Sequence, residues 1–103
     1  MLSEELKIKL KEIVKSWAKN NMCASCYSDM EVFVDTMEDI IDLDLMDDLL
    51  ADCLDEVEYL GIKTNAEIYD EVHNMLKDEA KYWLKDYYKH RKDYDPEVIK
   101  DEF

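Results

Sequence analysis

The chain has 103 residues, with 27 Asp and Glu against 13 Lys and Arg, a net charge of −14 with His neutral. A single domain of this size with so acidic a surface is not built to bind nucleic acid directly or to dock on an anionic membrane leaflet. A hydrophobic content of 48% excludes a disordered chain, and one Gly and one Pro exclude hairpin-rich β folds, glycine-rich phosphate loops and nucleophile elbows.

Apolar residues recur every three to four positions through most of the chain, which predicts an all-α fold. The expected architecture is one acidic helical domain over residues 1–103, a compact bundle of about four main helices plus a short C-terminal helix. Helix 1 is predicted from about Glu4 to Asn20, capped by Ser3, with Leu6, Leu10, Ile13, Val14 and Trp17 on one face. The stretch from Asn20 to Tyr27 reads as a loop. Ser28-Asp29-Met30-Glu31 has the form of a capping box with Ser28 as the cap. Helix 2 follows, with Met30, Phe33, Val34, Met37, Ile40 and Ile41 inward.

The helical period slips at Ile41-Asp42-Leu43-Asp44-Leu45, which predicts a kink or short break. Helix 3 is expected to carry Leu45, Leu49, Leu50, Cys53, Leu54, Val57 and Leu60 inward. Gly61 stands where a left-handed residue ends a helix, and Ile62 can close back on the last turn. Thr64-Asn65-Ala66-Glu67 has the form of a second capping box. Helix 4 is predicted from about Asn65 to Lys92, with Tyr69, Val72, Leu76, Ala80, Trp83 and Tyr87 inward. Asp95-Pro96 pairs a cap with Pro at the first helical position and predicts the short tail helix.

No apolar run approaches the ~18–20 residues that span a bilayer, and the first residues lack the basic and apolar regions of a signal peptide. Three cysteines make an odd set for a disulfide framework, so a reduced, cytoplasmic setting is expected. Lys outnumbers Arg twelve to one, a bias typical of AT-rich genomes.

The charges are segregated. Residues 1–20 carry a net +2 and residues 63–103 a net −3, but from Asn20 to Ile62 there is no base and the net charge is −13. On a helical wheel Glu31, Asp35, Glu38, Asp39 and Asp42 gather opposite Met30, Phe33 and Met37 of helix 2, and Asp48, Asp52 and Asp55 gather opposite Leu49, Cys53 and Val57 of helix 3, with Glu56 next to Asp55 in the chain. Like charges four residues apart cost an isolated helix ~0.2–0.5 kcal/mol per pair, and Asp is a poor helix former. Folding gives no reason to keep Asp35–Asp39 and Asp48–Asp52 side by side with no Lys between them. Carboxylates one turn apart sit ~5–6 Å from each other, a spacing comparable with phosphates along one nucleic-acid strand. These nine acids are the candidate partner-binding residues.

Two plainer readings compete. The face keeps the protein soluble, or it pairs with the stripe Lys77, Lys81, Lys85 and Lys89 of helix 4, within one chain or across a homodimer. Other candidate sites are less complete. Cys23-Ala24-Ser25-Cys26 has zinc or dithiol spacing, but no second pair completes a zinc set, no βαβ unit surrounds it, and Cys53 reads as a small core residue. Asp70-x-x-His73 supplies one carboxylate–imidazole pair where a bundle di-metal site needs two. Asp42-x-Asp44-x-x-Asp47 lacks the Gly and Glu of a calcium loop. Neither metal nor cofactor is expected. With two His and four Ser no catalytic constellation emerges, and no enzyme is expected.

In size, sign of charge, Lys-rich composition and lack of catalytic residues, the chain resembles in type the acidic DNA-mimic inhibitors of phages and mobile elements, anti-CRISPR and anti-restriction proteins among them. That resemblance implies occlusion of the groove in which a basic nucleic-acid-binding protein, such as a nuclease effector, holds DNA or guide RNA. The setting implied is the host cytosol. An antitoxin or immunity protein covering a basic nuclease would use the same physics. A helical oligomerisation module is the alternative of another class, with Ile8, Val32, Ile68, Met75 and Tyr82 as its contact surface.

Overall fold

The computed structural model describes residues 2–90. Among them 81% are helical and none is in a strand, and four helices form a helical bundle. The helices are α1 (Glu4–Asn21), α2 (Met30–Leu43), α3 (Asp47–Tyr59) and α4 (Ala66–Lys89), with a short 3₁₀ turn (Ala24–Cys26) between α1 and α2. The expected tail helix at Asp95-Pro96 lies outside the described residues.

Each helix begins on a side-chain or charge signal. Ser3 Oγ accepts from Leu6 N at 3.2 Å, and Glu4 and Glu5 complement the N-terminal dipole of α1. Asp29, not Ser28, caps α2: its Oδ1 accepts from Glu31 N at 2.9 Å. Asn65, not Thr64, caps α4, its Oδ1 accepting from Ile68 N at 2.9 Å, while the Thr64 hydroxyl donates to Glu58 Oε1. Both corrections are shifts of one residue and have one cause. Two capping residue types stand side by side, and the Asx side chain one position later reaches the free amides of the first turn. α3 has no side-chain cap, only Asp47 and Asp48 at its positive end.

The slip in period at 41–45 is a left-handed cap. Asp44 has φ 56° and ψ 27°, its N–H bonds Ile40 O at 3.2 Å, and Leu45 N bonds Asp39 O at 3.2 Å. Asp tolerates this conformation better than most residues because its short polar side chain bonds locally. The reversal turns Leu45 outward, 57% exposed, and puts Met46 in the core instead. The expected inner face of α3 is corrected accordingly: Leu50, Cys53 and Val57 are buried, Leu49 and Leu54 are half-buried, and Leu60 is exposed. α3 ends as expected, at Gly61 with φ 95°, and Ile62 N reaches back to Val57 O at 3.1 Å.

α4 packs against α1, α2 and α3, and α1 also packs on α3. Its inward stripe is Ile68, Val72, Leu76, Ala80 and Tyr87. Tyr69, expected inside, is exposed, and Trp83 is half-buried. Phe33 of α2 anchors the core, meeting Tyr27 edge-on at 5.3 Å and Tyr87 at 5.4 Å. Such aromatic pairs contribute about 0.5–1.5 kcal/mol beyond the area they bury. Among the described residues no polar or charged side chain is buried. Among the described residues no helix is long and apolar enough to cross a membrane.

Candidate functional site

The acidic residues of α2 and α3 stand where the helical wheel puts them. Glu31, Asp35, Glu38, Asp39, Asp42, Asp48, Asp52, Asp55 and Glu56 are all exposed. On α2 they lie opposite Phe33, Met37 and Ile40, which are fully buried against the rest of the bundle. The three-residue turn 44–46 joins the two rows, and there Asp42, Asp44, Asp47 and Asp48 crowd into one short run of chain.

One of the nine also has a structural partner: Asp52 Oδ2 accepts a hydrogen bond from the Trp17 indole Nε1 at 3.0 Å. Asp44, outside the nine, takes the Nζ of Lys77 at 2.8 Å. That hydrogen bond, opposed slightly by burial, holds the Asp44 carboxyl below the usual carboxylate range. Among the described residues no ion pair joins Lys81, Lys85 or Lys89 to any of the nine acids. Among the described residues the stripe pairs with this region only through Lys77 and Asp44.

An apolar element borders the acids. Leu43 is 61% exposed and Val32 is 50% exposed, both flanking the acidic row of α2. A shallow groove lined by Thr36, Leu45, Met46, Asp47, Asp48 and Leu49 separates α2 from the start of α3. The helical period assigns Leu45 to the core, so this exposed leucine escapes detection from sequence. The signal that could reveal it is Asp44, a residue type suited to a left-handed turn, placed where the period fails.

The remaining candidates disperse. Of the apolar residues expected to form a separate contact surface, Ile8, Val32 and Tyr82 are exposed on three different helices, Met75 is half-buried and Ile68 is buried in the core. His73 is half-buried at the edge of the α4 stripe. Among the described residues no group of three His, Cys, Asp or Glu side chains is arranged to hold a metal ion. Cys53 is a fully buried core residue.

Between α1 and α4, Lys15, Lys19, Glu79, Tyr82 and Trp83 line a second groove. The Trp83 indole N–H is buried and closes no hydrogen bond of normal geometry. Its dipole still acts on Glu79 one turn earlier. Burial raises the Glu79 carboxyl above its usual range, and Trp83, Lys15 and Lys11 offset this only in part. No protein-family model, characterised protein or solved structure matches this chain.

Proposed function

We propose that this protein is a small inhibitory binding protein whose α2–α3 surface occupies the basic nucleic-acid-binding groove of another protein. The observation that carries this reading is the set of nine exposed carboxylates on consecutive helices, in a 43-residue stretch without a base, that internal lysines leave unneutralised. Like-charge rows are a folding cost of ~0.2–0.5 kcal/mol per pair on each helix. A basic partner recovers that cost on binding, because each carboxylate then gains an opposite charge while the rows lose their repulsion.

The apolar border supports the same reading. Long-range attraction governs encounter and orientation, whereas a lasting complex needs desolvated apolar contact at its centre. Leu43, Leu45 and Val32 supply such contact within the acidic field. Their arrangement favours a protein partner over a small cation or polyamine, which would have no use for exposed leucines. The partner class is a basic nucleic-acid-binding protein, such as a nuclease effector. Binding, not catalysis, is the activity.

The test is capture on immobilised protein at low and high salt, followed by competition with duplex DNA or RNA. A basic protein held at roughly 50 mM salt, released near 500 mM as the Debye length shrinks to a few ångströms, and displaced by nucleic acid supports the proposal. A partner retained equally at both salts, or indifferent to nucleic acid, overturns it.

A further inference from the structure

The turn between α1 and α2 holds two thiols that the acidic surface does not use. Cys23 opens the 3₁₀ turn in extended geometry and Cys26 closes it. Cys26 N bonds Cys23 O at 3.0 Å and Tyr27 N bonds Ala24 O at 3.1 Å, which folds the C-x-x-C segment back on itself. The two sulfurs then lie 2.7 Å apart. The surroundings hold this turn in place. Met22 and Ala24 are buried on either side of Cys23, and Tyr27 packs edge-on against Phe33 of the core. The Cys26 sulfur also lies 3.1 Å from Asn20 O in the last turn of α1, the alternative acceptor for its single S–H.

From this geometry we propose that Cys23 and Cys26 are a redox-active dithiol that closes reversibly into an intramolecular disulfide by exchange with a low-molecular-weight disulfide. Access supports it: Cys23 is half-buried and Cys26 exposed, so a small disulfide reaches both. Cys53 is the internal contrast. It is enclosed, and burial, with Asp52 and Glu56 nearby, pushes its thiol up to about 12, which leaves it inert.

The pair divides the chemistry between its members. Burial opposes ionisation of Cys23, but hydrogen bonds from the Cys26 and Ser25 side chains and from the backbone outweigh it and hold the thiol below its usual value. Ser25 Oγ stands 3.1 Å from its sulfur. Cys26 is pushed up, by burial first and then by its role as donor to Cys23 and by the charge that Cys23 carries. Cys23 is therefore the attacking thiolate. It displaces one thiolate from the small disulfide and forms a mixed disulfide with the remaining half. Cys26 loses its proton to solvent and attacks the Cys23 sulfur, expelling the second half as thiolate. The protein gives up two electrons and two protons, and the small disulfide becomes two thiols.

The test uses the whole chain equilibrated in mixtures of oxidised and reduced glutathione, quenched in acid, alkylated under denaturing conditions and weighed intact. The expected result is that wild-type protein passes from three alkylatable thiols to one, with no glutathione retained, and returns to three on addition of dithiothreitol. Cys26→Ser is expected to accumulate a stable glutathione adduct at Cys23, Cys23→Ser to react at least several-fold more slowly at neutral pH, and Cys53→Ser to match wild type. Wild-type protein that retains glutathione adducts with no loss of a thiol pair, or that forms disulfide-linked dimers, overturns the proposal. Equal rates for Cys23→Ser and Cys26→Ser overturn it as well. The wild-type masses show whether an intramolecular disulfide forms without reference to how the variants fold, and a peptide map of the oxidised wild-type protein is expected to join Cys23 to Cys26 and leave Cys53 alkylated.

Discussion

The Trp17 indole of α1 donates to Asp52 of α3 across 35 residues of sequence, at 3.0 Å. This bond joins the apolar core to the acidic surface, because Trp17 is buried while Asp52 is exposed. Asp52 is thus both a member of the outward acidic row and a tie between two helices.

The acids of the surface should therefore separate into two kinds. Asp52→Ala leaves the indole N–H of Trp17 without an acceptor and is expected to cost about 1 kcal/mol of stability. The four-site variant Asp35→Asn, Asp39→Asn, Asp48→Asn and Asp55→Asn relieves repulsion and gives up only the Asp48 charge at the start of α3, so its stability should stay close to wild type. Urea denaturation of both variants checks this. If the four-site variant is the less stable of the two, the outer carboxylates are engaged in the fold and are not free for a partner.

The register of α3 makes a second prediction. Leu50 is 3% exposed whereas its neighbour Leu49 is half-buried. Leu50→Asp puts an unpaired charge into the core and is expected to unfold the domain, a loss above about 4 kcal/mol. Leu49→Asp should cost no more than about 1–2 kcal/mol, since its carboxylate can turn to water. Circular dichroism through a urea titration distinguishes the two, and equal losses would contradict this placement of the helix.

Asp44 combines a left-handed backbone with a lysine partner, and the two contributions can be measured apart. Asn and Gly tolerate the positive φ better than Ala does, so melting temperature should fall furthest for Asp44→Ala. The Lys77 contribution depends on pH. The folded carboxyl titrates below its unfolded value of about 3.9, so the stabilisation is present above that pH and is lost as pH falls through the lower folded value. Lys77→Met should thus lie below wild type in melting temperature at neutral pH and converge with it in acid.

Glu79 has the opposite sign. Its folded carboxyl titrates above the unfolded value of about 4.3, chiefly because burial disfavours the charge. Stability linked to this group is complete below the unfolded value and is lost as pH rises through the folded one. Glu79→Gln is expected to raise the melting temperature at neutral pH and to leave it unchanged near pH 3.5. A loss at neutral pH would mean that the carboxylate makes a net favourable contact with Lys15 or Lys11.

These residues also mark how far the sequence can be read. Helix number, order and most inward stripes follow from apolar spacing, and Gly61 and the break near Asp44 are visible because special backbone geometry needs special residue types. The first residues of α2 and α4 are ambiguous, since Ser28 and Asp29, or Thr64 and Asn65, are equally able to cap. Periodicity places Leu45 and Tyr69 inside, but at helix ends the turn geometry decides, and Met46 and Ile68 take those places. The exposure of all nine acids follows from the wheel. The bond from Trp17 to Asp52 does not, because no local pattern encodes a contact 35 residues apart. The Cys23–Cys26 spacing is visible in sequence, whereas the 3₁₀ turn that brings the sulfurs together is not.

The outer carboxylates of α2 and α3 are proposed to bind a basic groove, and kinetics separate this role from solubility. The measurement is of association and dissociation rates of wild-type protein and the Asp35, Asp39, Asp48, Asp55 to Asn variant on the captured partner. The variant is expected to keep an intact helical fold and to bind at least about tenfold more weakly, mainly through slower association, because the lost charges steer encounter. Unchanged affinity with the fold intact would contradict it and leave the acidic surface with solubility as its role.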